Sequence, residues 1–321
     1  MTTPALEATD LVVEFPVGRG QKVHAVSGVS LSVAPGETLG ILGESGCGKS
    51  TIGRALIQMP APDSGTVRLG DRELTGLRAK ELRGARARMQ IIMQDPISSL
   101  NPRRKVKDLV WESHAIWGYD GDDKEAKIDE VLRAVGLDPE TVRERRPHEL
   151  SGGQAQRVCI ARALMMDPVV LICDEPVSSL DVSVQAQILN LLEATKARYD
   201  LSLVFIAHDV AVVKNISDRV MVMYLGKSCE VLPSEDLHLR AVHPYTRLLL
   251  SSLPEAQQSS SANGDVVVER VAAELPSPLN PPSGCRFRTR CPLATDRCAA
   301  EEPLLRDIGA GHQVACHNVA L

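Results

Sequence analysis

Apolar residues in this chain gather into short runs that stop at turn-forming residues. VHAVSGVSLSVAPGE (23–37) alternates β-branched and small residues and ends at Pro-Gly, the pattern of a strand closed by a turn. TLGIL (38–42) is apolar without alternation and reads as a strand covered on both faces. Lys49 to Met59 suits a helix, stopped by PAPDSG (60–65). TVRLGDREL (66–74) predicts a strand and a turn, and ARMQIIMQ (87–94) contains another buried strand. PVVLICDEP (168–176) and LSLVFIA (201–207) continue the buried-strand pattern, with VSVQAQILNLLEATKARY (182–199) as a helix between them. ISDRVMVMYLGKSCEV (216–231) reads as a short helical turn followed by a strand pair. Strands alternating with helices predict an α/β fold on a largely parallel sheet covered on both faces.

Two stretches break this rhythm. Residues 104–147 are polar and charged with a helical pattern, and read as a helical insertion between two halves of the sheet domain. Residues 252–283 are rich in Ser, Pro, Asn and Gly around one apolar run, DVVVERVAAEL, and read as a linker with a short β segment. The expected organisation is a large domain over 1–251, with its helical subdomain at about 96–165, then the linker, then a Cys-rich module over 284–321. No internal repeat is visible.

Composition narrows the classes. The net charge of −5 offers no general attraction to nucleic acid or anionic lipid. Aromatic residues make up only 3%, so aliphatic side chains must fill the core. No apolar run approaches the roughly 18 residues of a membrane span, and MTTPALEATD lacks the basic and apolar regions of a secretory signal. A cytoplasmic chain is expected, its membrane role arising through partners.

The candidate chemistry begins at GILGESGCGKST (40–51). Gly43, Glu44, Ser45, Gly46, Cys47, Gly48, Lys49 and Ser50 fit GxxxxGK[ST] between a predicted strand and a predicted helix, with Thr51 following. Glycines let the backbone curl so that amides point inward, and the helix N-terminus adds positive potential for phosphate. Lys49 is placed to reach β- and γ-phosphates and Ser50 to ligate Mg²⁺. Asp174 and Glu175 end the run VVLIC, where ligands collect at the carboxyl ends of parallel strands. Alone they would be an ordinary acidic loop; beside a phosphate loop, Asp174 suits a metal anchor and Glu175 a group that polarises water. Gln94 ends QIIMQ within reach of the metal or water, and His208 ends LVFIA in reach of a γ-phosphate.

A second phosphate-type turn follows in LSGGQAQRVCIARALMMDP (150–168). Ser151 can simply cap the helix. Gly152 and Gly153 also leave bare amides at a helix N-terminus. One nucleotide has no obvious use for both turns of one chain, whereas a dimer would let each subunit's turn close over its partner's nucleotide.

GESGCGKST, Gln94, LSGGQAQR, LICDEP, SSLD (178–181) and His208, in that order over about residues 8–235, resemble an ATP-binding cassette (ABC) ATPase. The resemblance implies a P-loop NTPase (RecA-like) fold with a helical subdomain and antiparallel β elements. It implies that Ser151, Gly152, Gly153, Gln154 and Asp181 act in trans on ATP held by a second cassette. It places Phe15 of LVVEFP where the family, more often with Tyr, stacks an aromatic on adenine, and Ala155 departs from the usual Arg, Gln or Lys. QDPISSLNPRRKV (94–106), RPHELSGGQ (146–154), VMYLGK (222–227), HPYTRLLL (243–250) and the Cys-rich end look like the peptide/nickel importer group, nearest its F-type subunit.

That resemblance implies a motor coupling ATP hydrolysis to peptide import at the cytoplasmic face of the cell membrane. Its partners would be a different, D-type cassette, two transmembrane permease subunits and an extracytoplasmic substrate-binding protein. The alternatives are an importer of nickel or another small solute, a soluble ABC ATPase acting on nucleic acid or ribosomes, or a regulatory or iron–sulfur module. A single cassette without heptads or a basic patch argues against the soluble ATPase.

Cys285, Cys291, Cys298 and Cys316 crowd the end of the chain with intervals too wide for the usual structural zinc pairs. Four thiolates suit an iron–sulfur cluster, and Arg286, Arg288, Arg290 and Arg297 would offset its charge. The resemblance implies a [4Fe–4S] cluster; His312 and His317 leave a mixed Cys/His zinc site as the other option.

Overall fold

The computed structural model describes residues 3–18, 20–119, 123–251 and 275–319. Of the expected linker, residues 252–274 lie outside the described residues, and with them the run DVVVERVAAEL apart from its final leucine. The chain divides into two compact units, one of residues 1–6, 33–37 and 69–205, the other of 7–32, 38–68 and 206–321.

In the first unit, Met89–Ile92 runs parallel to Val170–Asp174, with Ser202–Ala207 on the other side of the latter. All five residues of Val170–Asp174 are buried, as expected of a strand without alternation. The helical insertion packs on itself. Val106–Trp117 buries Val106, Leu109, Val110 and Trp111 on one face and lies against Gly152–Leu164. Lys124–Ala134 buries Ile128, Val131 and Leu132 against the same helix. Each such side chain contributes about 1.5–3 kcal/mol of burial free energy. The helix Val182–Tyr199 has Lys196 and Arg198 in its last turn, facing the negative end of its dipole, and stops at Asp200 with φ 52°. Ala79–Ala87 is a helix that the hydrophobic pattern did not announce, because only Ala85 of it is buried.

In the second unit, Leu6–Gly18 lies between Gln21–Val33 and Ser64–Leu69 in one sheet. In a second sheet, Thr38–Leu42 is parallel to Arg219–Tyr224. Beyond that pair it departs from the largely parallel expectation. Lys227–Pro233 folds back antiparallel on Arg219–Tyr224, with an irregularity between Ser228 and Glu230. Gln313–Val314 then pairs antiparallel with Lys227–Pro233, and Arg306–Asp307 with Gln313–Val314. Two short strands of the Cys-rich end therefore extend the sheet that holds Thr38–Leu42. Tyr224, Tyr245 and Phe287, all under 2% exposed, meet edge-on or tilted at ring separations of 4.7–5.3 Å. They join the strand Arg219–Tyr224, the helix Pro244–Leu250 and the Cys-rich end in one apolar cluster. Among the described residues, no helix is long and apolar enough to cross a membrane.

Candidate nucleotide site

The phosphate loop leaves the buried strand Thr38–Leu42 and enters the helix Lys49–Leu56. Two glycines are sterically required. A Cβ on Gly43 would stand 2.3 Å from the Met223 carbonyl oxygen, and one on Gly48 would stand 2.1 Å from that of Ala25. Gly48 also has φ 103°, a conformation that side chains resist. Ser45 and Gly46 are exposed, whereas Cys47 and Lys49 are buried. The Lys49 ammonium folds back on the loop and donates to the carbonyl oxygens of Gly43 (2.7 Å) and Glu44 (2.9 Å). Ser50 and Thr51 lie half-buried in the first helical turn. Burial holds the Cys47 thiol above its ordinary pKa, so it is a packing group and no nucleophile.

Glu44 receives two contacts that local spacing could not reveal. Its amide donates to the Tyr245 hydroxyl at 2.9 Å. Its carboxylate takes both terminal nitrogens of Arg290, at 2.9 and 3.0 Å. Elsewhere in this unit, Phe15 is an exposed aromatic on the strand Leu6–Gly18, and His208 is exposed just past Ser202–Ala207. Asp209 beside it caps Val210–Ile216 through the amides of Ala211 (2.8 Å) and Val212 (3.2 Å).

In the first unit, Asp174 ends its strand at 1% exposure. Glu175 follows with φ 48°, a strained conformation of the kind that concentrates at functional positions. Gln94, just beyond Met89–Ile92, donates from Nε2 to Glu175 Oε2 at 3.0 Å. The parallel pairing of the two strands thus brings the glutamine and the second carboxylate together.

Ser151 caps the helix Gly152–Leu164 reciprocally. Its Oγ accepts from the Gln154 amide (3.2 Å), and Gln154 Oε1 accepts from the Ser151 amide (3.0 Å). A Cβ on Gly153 would stand 2.7 Å from Val184 Cγ1; one on Gly152 would stand 3.3 Å from Leu180 Cδ2. These approaches set the turn against the residues flanking Asp181, which is itself the exposed N-cap of Val182–Tyr199.

The cysteine array corrects part of the sequence reading. Among the described residues, no group of three or more His, Cys, Asp or Glu side chains is placed to hold a metal ion, so the expected [4Fe–4S] ligation by Cys285, Cys291, Cys298 and Cys316 finds no support in the geometry. The zinc option loses its histidines: His312 Nε2 pairs with buried Glu230 at 2.8 Å, and His317 Nε2 lies 3.1 Å from the Glu301 carbonyl oxygen. The arginines expected to offset a cluster's charge serve other groups. Arg286 donates to the Leu225 carbonyl and Ser27 Oγ, Arg288 to the Ser283 carbonyl, Arg290 to Glu44 and Arg297 to Glu301. The thiols do sense one another. Burial, then the neighbouring cysteines, raises Cys285, and raises Cys291 to about 11.

Comparison with known proteins completes the assignment. Residues 26–178 match the family described as ABC transporter, and residues 229–298 the oligopeptide/dipeptide transporter C-terminal region. The chain is 44% identical to the oligopeptide transport ATP-binding protein OppF of Escherichia coli, across 98% of this chain and 96% of that one. It is also 44% identical to AppF of Bacillus subtilis, an oligopeptide transport ATP-binding protein, across 97% and 96%. Among solved structures it resembles a dimeric post-hydrolysis state of the ATP-binding cassette MJ0796 bound to ADP and Pi (TM-score 0.65, 26% identity, 71% of this chain and 98% of that one). CbiO1 of Clostridium perfringens, part of an ABC transporter complex, is similar at TM-score 0.66 and 26% identity over 80% and 98%. With the phosphate loop, the Gln94–Glu175 pair and the capped Ser-Gly-Gly turn in place, the chain belongs to the ABC transporter family, in the group that carries the oligopeptide/dipeptide transporter C-terminal region.

Proposed function

We propose that this chain is the ATP-hydrolysing motor subunit of a membrane importer for di- and oligopeptides. The observation that carries the reading is the phosphate loop on a buried strand in a chain whose end matches the oligopeptide/dipeptide C-terminal region. Lys49 and the amides of residues 43–51 bind the β- and γ-phosphates, and Phe15 stacks on adenine. Ser50, Gln94 and Asp174 are the residues whose oxygens would hold Mg²⁺, and the ion would neutralise phosphate charge when bound. Glu175 orients a water whose oxygen attacks the γ-phosphorus as the bond to the ADP oxygen breaks; Gln94 steadies its carboxylate and His208 contacts the γ-phosphate. Ser151, Gly152, Gly153, Gln154 and Asp181 complete the site of a partner cassette in trans.

The partners that fit this reading are a second cassette of D type, two permease subunits and, through them, an extracytoplasmic binding protein. The chain would then sit at the cytoplasmic face of the membrane. Within the same reading, Cys285, Cys291, Cys298 and Cys316 would be the ligands of a [4Fe–4S] cluster; what supports this is their place in a chain end of which residues 229–298 match the oligopeptide/dipeptide transporter C-terminal region, and not their present geometry. Anaerobic purification should give brown protein with about four irons per chain; a colourless protein would remove the cluster and leave the motor intact.

The decisive experiment is ATP-driven uptake of labelled peptides by vesicles containing the purified complex, with Glu175→Gln alongside. The variant should bind ATP normally and lose turnover by roughly a hundredfold or more, with transport. Wild-type complex that hydrolyses ATP but moves no peptide would point to another solute.

A further inference from the structure

Glu44 is held from three sides. Arg290 binds its carboxylate through both terminal nitrogens, Tyr245 receives its amide, and Lys49 donates to its carbonyl oxygen. It sits between Gly43 and Ser45–Gly46, so the backbone on its C-terminal side is exposed and pliable, and these contacts determine its course.

The arginine is rigidly supplied. It lies in a tightly wound turn in which the backbone amide of Arg288 donates to the Cys285 carbonyl (3.1 Å), that of Arg290 to the Phe287 carbonyl (2.9 Å) and that of Cys291 to the Arg288 carbonyl (3.4 Å). Phe287, 1% exposed, anchors the turn between Tyr224 and Tyr245. The guanidinium lies over the Tyr224 and Phe287 rings at 5.7 and 5.9 Å, and its side chain is 10% exposed. A forked ion pair with one partner so shielded is far from the surface pairs that contribute little.

We infer that Arg290 and Tyr245 are positioning residues for the phosphate loop, so that the Cys-rich end sets this chain's affinity for ATP through Glu44. Neither side chain need touch the nucleotide. They hold the first half of the loop in the course that aims its amides. The inference rests on the reading of residues 43–51 as an ATP site.

The test uses the full chain and trinitrophenyl-ATP as a fluorescent probe, with thermal unfolding as control, and the ATPase rate of the assembled complex. Arg290→Ala should weaken probe binding about tenfold. It should raise KM for ATP while leaving kcat within about twofold, because the interaction is equally present before and during reaction. Arg290→Lys, which cannot fork, should recover part of the affinity. Glu44→Gln, on a partly exposed loop and of the same size, covers the case in which Arg290→Ala fails to fold, and should weaken binding similarly. The pair of changes together should cost no more than the larger single one. Folded Arg290→Ala and Glu44→Gln chains that bind the probe within twofold of wild type would overturn the inference. A lowered Tm with unchanged affinity would do so too, reducing the contact to a structural one. Wild-type chain that fails to bind the probe would overturn the nucleotide reading itself.

Discussion

The phosphate loop and the Ser-Gly-Gly turn both present amides at a helix N-terminus, but they are built in opposite ways. The turn at 151–154 is closed by its own residues, Ser151 and Gln154 capping each other across three positions. The loop at 43–50 is held by residues from all over its unit: the carbonyls of Ala25 and Met223 shape its glycines, and Tyr245 and Arg290 fix Glu44. On the proposed reading, a turn that serves another subunit's ligand must be finished before that subunit arrives. A loop that grips its own ligand can instead be wired to the rest of its unit and read by it.

The contrast breaks most visibly at the glycines. Gly48→Ala should abolish ATP binding by the isolated chain, with a loss of a hundredfold or more, since the new methyl meets the Ala25 carbonyl at 2.1 Å in a left-handed conformation. Retained affinity in an equilibrium titration would show that the loop is less constrained than its contacts indicate. Gly152→Asp should behave otherwise. Its Cβ meets only the tip of Leu180 at 3.3 Å, so the chain should fold and bind ATP by itself. In the complex, the added carboxylate opposes the partner's γ-phosphate and turnover should fall at least tenfold. A folded Gly152→Asp monomer that no longer binds ATP would sink the trans assignment.

Acid should separate the two regions more gently. His243 accepts the Tyr245 amide at 3.1 Å and begins the helix that carries Tyr245; burial lowers its pKa from 6.5 to about 4, with Glu230 opposing. The imidazole is neutral in the folded chain, so the unfolded state takes up the proton first. Its stabilising share is complete above about pH 6.5 and is lost as pH falls toward 4. Unfolding followed from pH 7 to 5 should lose stability, less so in His243→Asn, which keeps a cap acceptor without titrating. The smallest effect belongs to Ser151→Ala. Removing the cap should cost about 1 kcal/mol of stability in chemical denaturation, with ATP binding by the isolated chain unchanged.

The same contrast explains what could be read in the sequence. Gly43–Ser50, Gln94, Glu175 and Ser151–Gln154 were legible because strand ends, caps and glycine turns are local chemistry. The buried strands TLGIL and VVLIC were legible because a strand covered on both faces has no alternation to hide. Arg290 reads in the sequence only as a neighbour of cysteines, because its partner Glu44 lies 246 positions away. Tyr245, the Glu230–His312 pair and the strand Gln313–Val314 were silent likewise: each depends on a surface that exists only after folding. Leu6–Gly18 shows in the sequence only through the motif that holds Phe15.

The pairing of Gln313–Val314 with Lys227–Pro233 also has a consequence for biosynthesis. The inner strand leaves the ribosome well before its partner and must wait with an open edge, which other chains can join. A message broken between the two would yield a polypeptide containing every ATP motif and an unfinished sheet. Such a product should be cleared as misfolded.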